Sequence, residues 1–315
     1  MDRAVLLVNM GGPSAAGEVK PYLRAIFRDP AIIGAPTFVR HPLAAWISSR
    51  RAPVVAQRYE QIGGASPLPH WTARLAEEVT RALAEAGQEM TAAYAFRYCE
   101  PTIEQAMTGL RDAGAKEVHL LPLFPHFTRA MTGSIIQEAR RVARKLFLPG
   151  NLTRLWWNHP AILELGRQYL VEALEQAGPG TRVLFVAHGI PQRSVKKGED
   201  YPDQVFNHAW NLGESLRRPV TWSLAYQSRL GPVQWIRPYL EEELEYIAGS
   251  ARSLVLYPLS FVADCLETLY DLDRIASEQA RDLGFRTVVR ARVFNDDPRF
   301  ARALVRIVLE HKHAK

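Results

Sequence analysis

The sequence predicts an α/β protein with two parallel sheets in tandem, each covered by helices on both faces. Three observations predict it. Short, nearly continuous apolar runs recur along the chain, as in Ala4–Asn9, Val118–Phe124, Val183–Ala187 and residues 253–258, the pattern of strands buried on both sides. Helical stretches of ten or more residues separate most of these runs, which gives the β-α alternation of parallel sheets. The length, 315 residues, suits two domains of ordinary size.

In chain order, the apolar strand over residues 4–9 is broken by Met10-Gly11-Gly12-Pro13. Neither G-x-G-x-x-G nor G-x-x-x-x-G-K-[ST] is present, which argues against a nucleotide loop. A helix is expected from about Ala15 to Arg28, with Val19, Tyr22, Leu23, Ile26 and Phe27 on one face. Residues 29–53 are interrupted by Pro30, Pro36, Pro42 and Pro53, carry Ile32, Ile33, Phe38, Val39, Leu43, Trp46 and Ile47, and end with Arg50-Arg51. This proline-broken segment suits a lip over a flat apolar ligand bearing carboxylates, or a surface flap packed on its own domain. A glycine turn at Ile62–Pro67 precedes an amphipathic helix over Thr72–Ala86, then a strand over Tyr94–Arg97. Thr102 and Gln105 have the spacing of a capping box. In the second half, strands are expected near 152–157, 183–187, 220–226, 253–258 and 286–292, and a closing helix over Asp297–His311.

A hydrophobic content of 47% with 23% charged residues is that of a globular protein. No apolar run is long enough to span a bilayer, and Met1-Asp2-Arg3-Ala4-Val5 enters a strand without a leader pattern, which predicts a cytoplasmic protein. The two cysteines, Cys99 and Cys265, exclude an all-cysteine iron–sulfur cluster or zinc knuckle within one chain. A net charge of +6 and a pI near 9.4 favour anionic partners: nucleic acid, acidic lipid or a polycarboxylate ligand. Without zinc-finger spacing or an RNA-binding aromatic motif, nucleic acid is the weakest of the three.

Two stretches carry chemistry. Val183–Ala187 runs into His188, and Gly189-Ile190-Pro191 stops it. Ligands of open parallel sheets sit outside the carboxyl ends of the strands. A histidine there is either a proton acceptor or metal ligand, or a loop residue capping a turn. Asp264, Glu267 and Asp271 stand at i, i+3 and i+7 after the run ending at Pro258, a spacing that puts three carboxylates on one helical face. They form a solvated acidic face or, given Phe261, Leu266, Leu269 and Leu272 around them, a path for a cation.

Taken together, these stretches resemble the ferrochelatases, enzymes that insert ferrous iron into a porphyrin. The resemblance covers almost the whole chain. It rests on Leu7–Pro13, Arg50-Arg51-Ala52-Pro53, Tyr59, Ile62–Pro67, Phe96-Arg97-Tyr98, Thr132-Gly133-Ser134, Ala187–Pro191 with Gly198–Pro202, Tyr226–Pro232 with Trp235, and Phe261–Asp264 with Glu267–Tyr270. It implies two Rossmann-like domains with the active-site cleft between them: residues 1–150 with the C-terminal helix 297–315 as the porphyrin-binding domain, and 151–296 as the domain carrying the metal-site residues. It implies His188 and Glu267 as the catalytic pair, His188, Glu267 and Asp271 as metal-handling groups, and Met10, Arg51, Tyr59 and Ser66 as porphyrin contacts. Fe2+ is then a substrate, with no tightly bound cofactor and no iron–sulfur cluster, and the product is protohaem, the last step of haem biosynthesis.

Elementary chemistry agrees with that assignment. A porphyrin takes a metal poorly while two pyrrole nitrogens hold protons, and saddling the ring exposes lone pairs on one face and N–H bonds on the other. Such distortion costs a few kcal/mol. Imidazole and carboxylate both suit ferrous iron. Two positions depart from the family pattern: Cys265 stands where a histidine is usual, either inert or a ligand for a softer metal, and Ile275 stands where another carboxylate is frequent. Coproporphyrin is the rival substrate, and a non-catalytic tetrapyrrole carrier the rival of another class. The 29–53 segment, apolar with arginines nearby, also predicts peripheral contact with anionic membranes.

Overall fold

Five consecutive residues, Ala4–Val8, are wholly buried because the strand they form, β1 (Arg3–Asn9), has parallel neighbours on both sides. The computed structural model describes residues 2–216, 219–229 and 231–310 and divides into two compact units. The first comprises the chain up to Leu155, the short segment Ala263–Leu266 and the chain from Asn295 onward. After β1 it contains α1 (Val19–Phe27), α2 (Thr37–Glu60), α3 (Leu68–Glu85), β2 (Met90–Phe96), α4 (Ile103–Asp112), β3 (Glu117–Pro122), α5 (Ser134–Leu146), β4 (Gly150–Leu152) and a closing helix, Pro298–Glu310. Its sheet has the order β2-β1-β3-β4, parallel throughout. Leu6 and Val8 of β1 pack with Ile103, Leu110, Ile135 and Val142 of α4 and α5. Each such fully buried aliphatic side chain contributes about 1.5–3 kcal/mol relative to exposure. α3 packs against β2 and the closing helix.

The second unit, Trp156–Val262 with Glu267–Phe294, contains α6 (Pro160–Ala177), β5 (Thr181–His188), α7 (Gln192–Lys196), α8 (Tyr201–Glu214), β6 (Trp222–Gln227), α9 (Leu240–Ile247), β7 (Ser253–Pro258), a π-helix (Glu267–Ala276), α10 (Ser277–Asp282) and β8 (Thr287–Arg290). Its sheet, β6-β5-β7-β8, is again all parallel and repeats the order of the first. Leu184, Val186, Leu254 and Leu256 pack with Leu244, Leu272 and Phe285 to form its core.

Several expectations from the sequence are met within a turn, among them the capping box, in which the Thr102 side chain accepts from Gln105 N and Gln105 Oε1 accepts from Thr102 N. Others are corrected. Residues 37–60 form a continuous helix despite Pro42 and Pro53. Both prolines are exposed, so water can serve the carbonyls that lose an intrahelical donor. The strand expected near 152–157 is the three-residue β4, and it closes the first sheet beside β3. The closing helix starts at Pro298 and is described to Glu310; the expected last residue, His311, lies outside the described residues, as does Leu230. Asp264 precedes the helix rather than riding on it. Its N–H donates to Asn295 Oδ1 at 2.8 Å, and its Oδ2 accepts from Asn295 Nδ2 at 3.0 Å, so this local polar pairing removes it from the expected row of three carboxylates.

A buried carboxylate ties the loops of the first unit together. Asp29, whose side chain is 2% exposed, lies 2.9 Å from Arg97 Nη2. It accepts from Tyr98 Oη at 3.0 Å and from the Ser134 hydroxyl, which in turn accepts from Arg97 Nε at 2.7 Å. A charge this deep is tolerated because every neighbour donates to it. The turn after β1 is fixed sterically. A Cβ on Gly12 would lie 2.4 Å from Ser66 Cβ, and one on Gly11, at φ +88°, 2.3 Å from Cys99 Sγ. Glycine lets both neighbours pack directly on the backbone.

Gly12→Ala is therefore expected to cost about 1–3 kcal/mol, as overpacking does, read as a lower urea midpoint. A second expectation concerns acid. His208 of α8 is buried, with the Trp157 ring 5.9 Å away, and burial lowers its pKa to about 3. Between pH 6.5 and 3 the unfolded chain binds a proton that the folded chain refuses, so stability falls as pH falls through that window. His208→Gln should reduce the loss between pH 7 and pH 5, measured by urea unfolding, by about 2 kcal/mol.

Candidate functional site

In the second unit the chain turns from β5 to β6 on one side and continues to β7 on the other. The crevice of such a sheet lies outside the carboxyl ends of the two strands where the order reverses, here β5 and β7. His188 is the last residue of β5, and β7 ends at Pro258, nine residues before Glu267 opens the π-helix.

The backbone of His188 is held from two directions. Its N–H donates to Ser260 Oγ at 2.8 Å, and its carbonyl accepts from Tyr201 Oη at 2.8 Å. The neighbouring Leu259 N–H donates to Val186 O at 2.8 Å, which anchors the turn after β7 to β5. The imidazole stands edge-to-face with Phe261, 6.4 Å between centroids, and Gln227 Nε2 lies 3.4 Å from Nδ1. Desolvation pushes the imidazole's pKa down, and the Glu267 carboxylate pulls against it. Desolvation thus favours the neutral imidazole, whose free nitrogen lone pair can accept a proton or a metal, while Glu267 favours the protonated form. Burial, with a smaller contribution from Asp203, raises the Tyr226 phenol to about 12, so it is a neutral hydrogen-bonding group here.

Glu267 and Asp271 are four residues apart on a helix with i→i+5 hydrogen bonds, a rare geometry often found at functional sites. Both are half-buried, whereas Ile275, four further on, is exposed. Among the described residues, no group of three His, Cys, Asp or Glu side chains could hold a metal ion. His188, Glu267 and Asp271 thus do not form a ready-made three-ligand cage. Cys265 is buried.

The porphyrin-contact residues expected from the sequence all lie in the first unit. Met10 follows β1 and is half-buried, its N–H donating to Asn9 Oδ1 at 2.8 Å and its carbonyl accepting from Tyr98 N at 3.1 Å. Ser66 is brought beside this turn: its N–H donates to Pro13 O at 2.8 Å, and its side chain fills the space that Gly12 leaves. Arg51 and Tyr59 stand two turns apart on α2, Tyr59 buried and Arg51 half-buried. Burial lowers the Arg51 pKa, and the Arg58 guanidinium lowers it further. Among the described residues Arg51 has a cation–π contact, 6.0 Å from the Phe27 centroid, and no carboxylate.

Residue-by-residue reading of the sequence missed Asp29, Ser260 and the positioning parts of Tyr201 and Gln227. Tyr201, Gln227, Arg97, Tyr98 and Ser134 fall inside the quoted motifs, which was the available signal. Asp29 had none, because its guanidinium partner is 68 positions away; Ser260 heads the stretch that carries Asp264 and Glu267, but its partner lies 72 positions back.

The family model described as ferrochelatase matches residues 2–312. Among curated relatives, the ferrochelatase of Geobacter metallireducens is 35% identical over 311 residues, covering 97% of each chain. That of Caulobacter vibrioides (strain NA1000 / CB15N) is 34% identical, covering 97% of this chain and 89% of the relative. That of Synechococcus sp. (strain RCC307) is 35% identical, covering 96% and 81%. Among solved structures, SirB from Bacillus subtilis with Fe3+ superposes with a TM-score of 0.59 at 15% identity, covering 99% of this chain and 96% of the other. CbiX, described as the terminal enzyme for biosynthesis of siroheme in denitrifying bacteria, gives 0.59 at 16%, covering 99% and 100%. At that identity the structural likeness speaks for the fold alone.

Proposed function

The chain belongs to the ferrochelatase family of porphyrin metal chelatases, and on that premise we propose that it inserts Fe2+ into protoporphyrin IX, the last step of haem biosynthesis. The step exchanges one ferrous ion for two pyrrole protons, so charge balances without a redox partner. The observation that supports the residue assignment is the place of His188 at the carboxyl end of β5, its backbone held by Ser260 and Tyr201, with the Glu267 carboxylate near enough to act on its charge. His188 takes a pyrrole proton, and Glu267, with Asp271 one turn on, provides the carboxylates that steer the incoming cation or drain protons. Imidazole and carboxylate both suit ferrous iron. General acid–base groups contribute roughly 10²- to 10⁴-fold in rate, which sets the scale for losing either.

In this reading residues 1–150 with 297–315 hold the porphyrin, and 151–296 handle metal and protons. The half-buried Arg51 guanidinium, with Arg58 beside it and no carboxylate of its own, supports a contact with a substrate propionate. Tyr59 and Ser66 add polar contacts, and Met10 lies against the ring face. The apolar surface of α2, with Phe38 80% and Trp46 59% exposed, favours the dicarboxylate protoporphyrin. The arginines of the same helix, Arg40, Arg50, Arg51 and Arg58, favour the tetracarboxylate coproporphyrin as the second reading. Anaerobic Fe2+ insertion, followed by loss of the free-porphyrin spectrum, should be faster with protoporphyrin IX than with coproporphyrin III; the reverse order overturns the substrate. Glu267→Ala should lower kcat roughly 10²- to 10⁴-fold with porphyrin binding retained, whereas lost binding would move Glu267 out of the proton step.

No helix among the described residues is long and apolar enough to cross a membrane. We place the protein in the cytoplasm with peripheral contact at anionic membranes, through the exposed Phe38, Leu43 and Trp46 and the adjacent Arg50. Reversing charge at Arg50 and Arg51 together should reduce co-sedimentation with phosphatidylserine-containing vesicles at low salt; unchanged sedimentation would remove this contact.

A further inference from the structure

α5 carries two basic stripes with different surroundings. Arg141 pairs with Glu104 at 2.6 Å and with Glu138 at 2.8 Å, and Lys145 also pairs with Glu104. That stripe is neutralised. One residue back, Arg140 and Arg144 line a concavity of about 450 Å³ together with Arg154, which follows β4. None of these three guanidiniums has a carboxylate partner or a side-chain hydrogen bond among the described residues. Arg154 is held in place by the Phe127 ring, 3.9 Å from its centroid. Phe127, Ile136 and Leu152 supply the apolar part of the wall.

Three like charges around one hollow repel one another, and a low-dielectric wall strengthens their common field. Guanidinium groups match the geometry of carboxylate and phosphate oxygens, which they can hold in bidentate fashion. A bare inorganic anion would answer the charge but leave the apolar wall uncovered. The volume is in the range of small-molecule sites. We propose that this concavity is a binding site for a small organic anion bearing two or more carboxylate or phosphate groups on an apolar or aromatic body. It lies wholly within the first unit, uses none of the residues assigned to metal insertion, and does not depend on that assignment.

The test is calorimetric titration of the full chain at low salt with two probes, benzene-1,3,5-tricarboxylate and adenosine triphosphate. At least one should bind with one-to-one stoichiometry and a Kd below about 1 mM, an ordinary weak-ligand affinity. The tighter probe identifies carboxylate or phosphate as the preferred group. Arg140→Ala/Arg144→Ala should weaken that probe at least about tenfold, equivalent to 1.4 kcal/mol, and Arg154→Gln, which leaves α5 untouched, should weaken it in the same direction. Arg141→Ala/Lys145→Ala removes as many charges from the paired stripe and should change the Kd less than about twofold. Failure of both probes to bind the wild type, or equal weakening by the two double variants, overturns the site. Iron insertion by Arg140→Ala/Arg144→Ala should match the wild type, which separates this result from any failure of the chelatase assignment.

Discussion

Met10 and His188 both stand at the carboxyl ends of parallel strands, and the constraint behind that is topological. When the chain places its second strand on one side of the first and its third strand on the other, the two loops leaving the first and third strands diverge. The order β2-β1-β3-β4 meets this condition, and so does β6-β5-β7-β8. The turn carrying Met10 and the turn carrying His188 each leave the interior strand of such an arrangement. Buried hydrophobic strands fix where those turns begin to within a residue, because a slip would turn every core side chain to the other face.

Rigid strands would be of little use if the loops beyond them wandered. In the second unit the hydroxyls of Ser260 and Tyr201 fasten the backbone of His188 on both sides. In the first, Asp29 gathers Arg97, Tyr98 and Ser134 from the ends of β2 and the start of α5. These contacts are polar and buried, so each is costly if half-made and directional when complete. They hold geometry rather than supply bulk stability, which comes from the apolar layers beneath.

Much of this was legible in the amino-acid order. The buried strands announced themselves as short apolar runs, the capping box at Thr102 as a spacing, and His188 as a histidine at a strand's end. What was misread has a physical pattern. Pro42 and Pro53 suggested a broken segment, but exposed prolines leave a helix intact when solvent serves the freed carbonyls. Asp264, Glu267 and Asp271 had helical spacing, yet Asp264 is captured by Asn295, 31 residues away in sequence, and the helix that follows is a π-helix. Periodicity reports local repeats; it is blind to a partner supplied by a distant segment. Asp29 was invisible for the same reason, since nothing near it in sequence hints at a guanidinium 68 positions on.

The shared strand order has one more implication when the hydrogen-bond registers are laid side by side. Val8 pairs with Ala95 and Pro122, and its carbonyl receives Leu123 N. Val186 pairs with Ala225 and Pro258, and its carbonyl receives Leu259 N. Counting two residues on from each valine gives Met10 in one lobe and His188 in the other. The thioether and the imidazole are therefore tenants of the same address in two copies of one scaffold. One copy of the scaffold thus presents a soft apolar group, and the other a titratable ring, from equivalent positions.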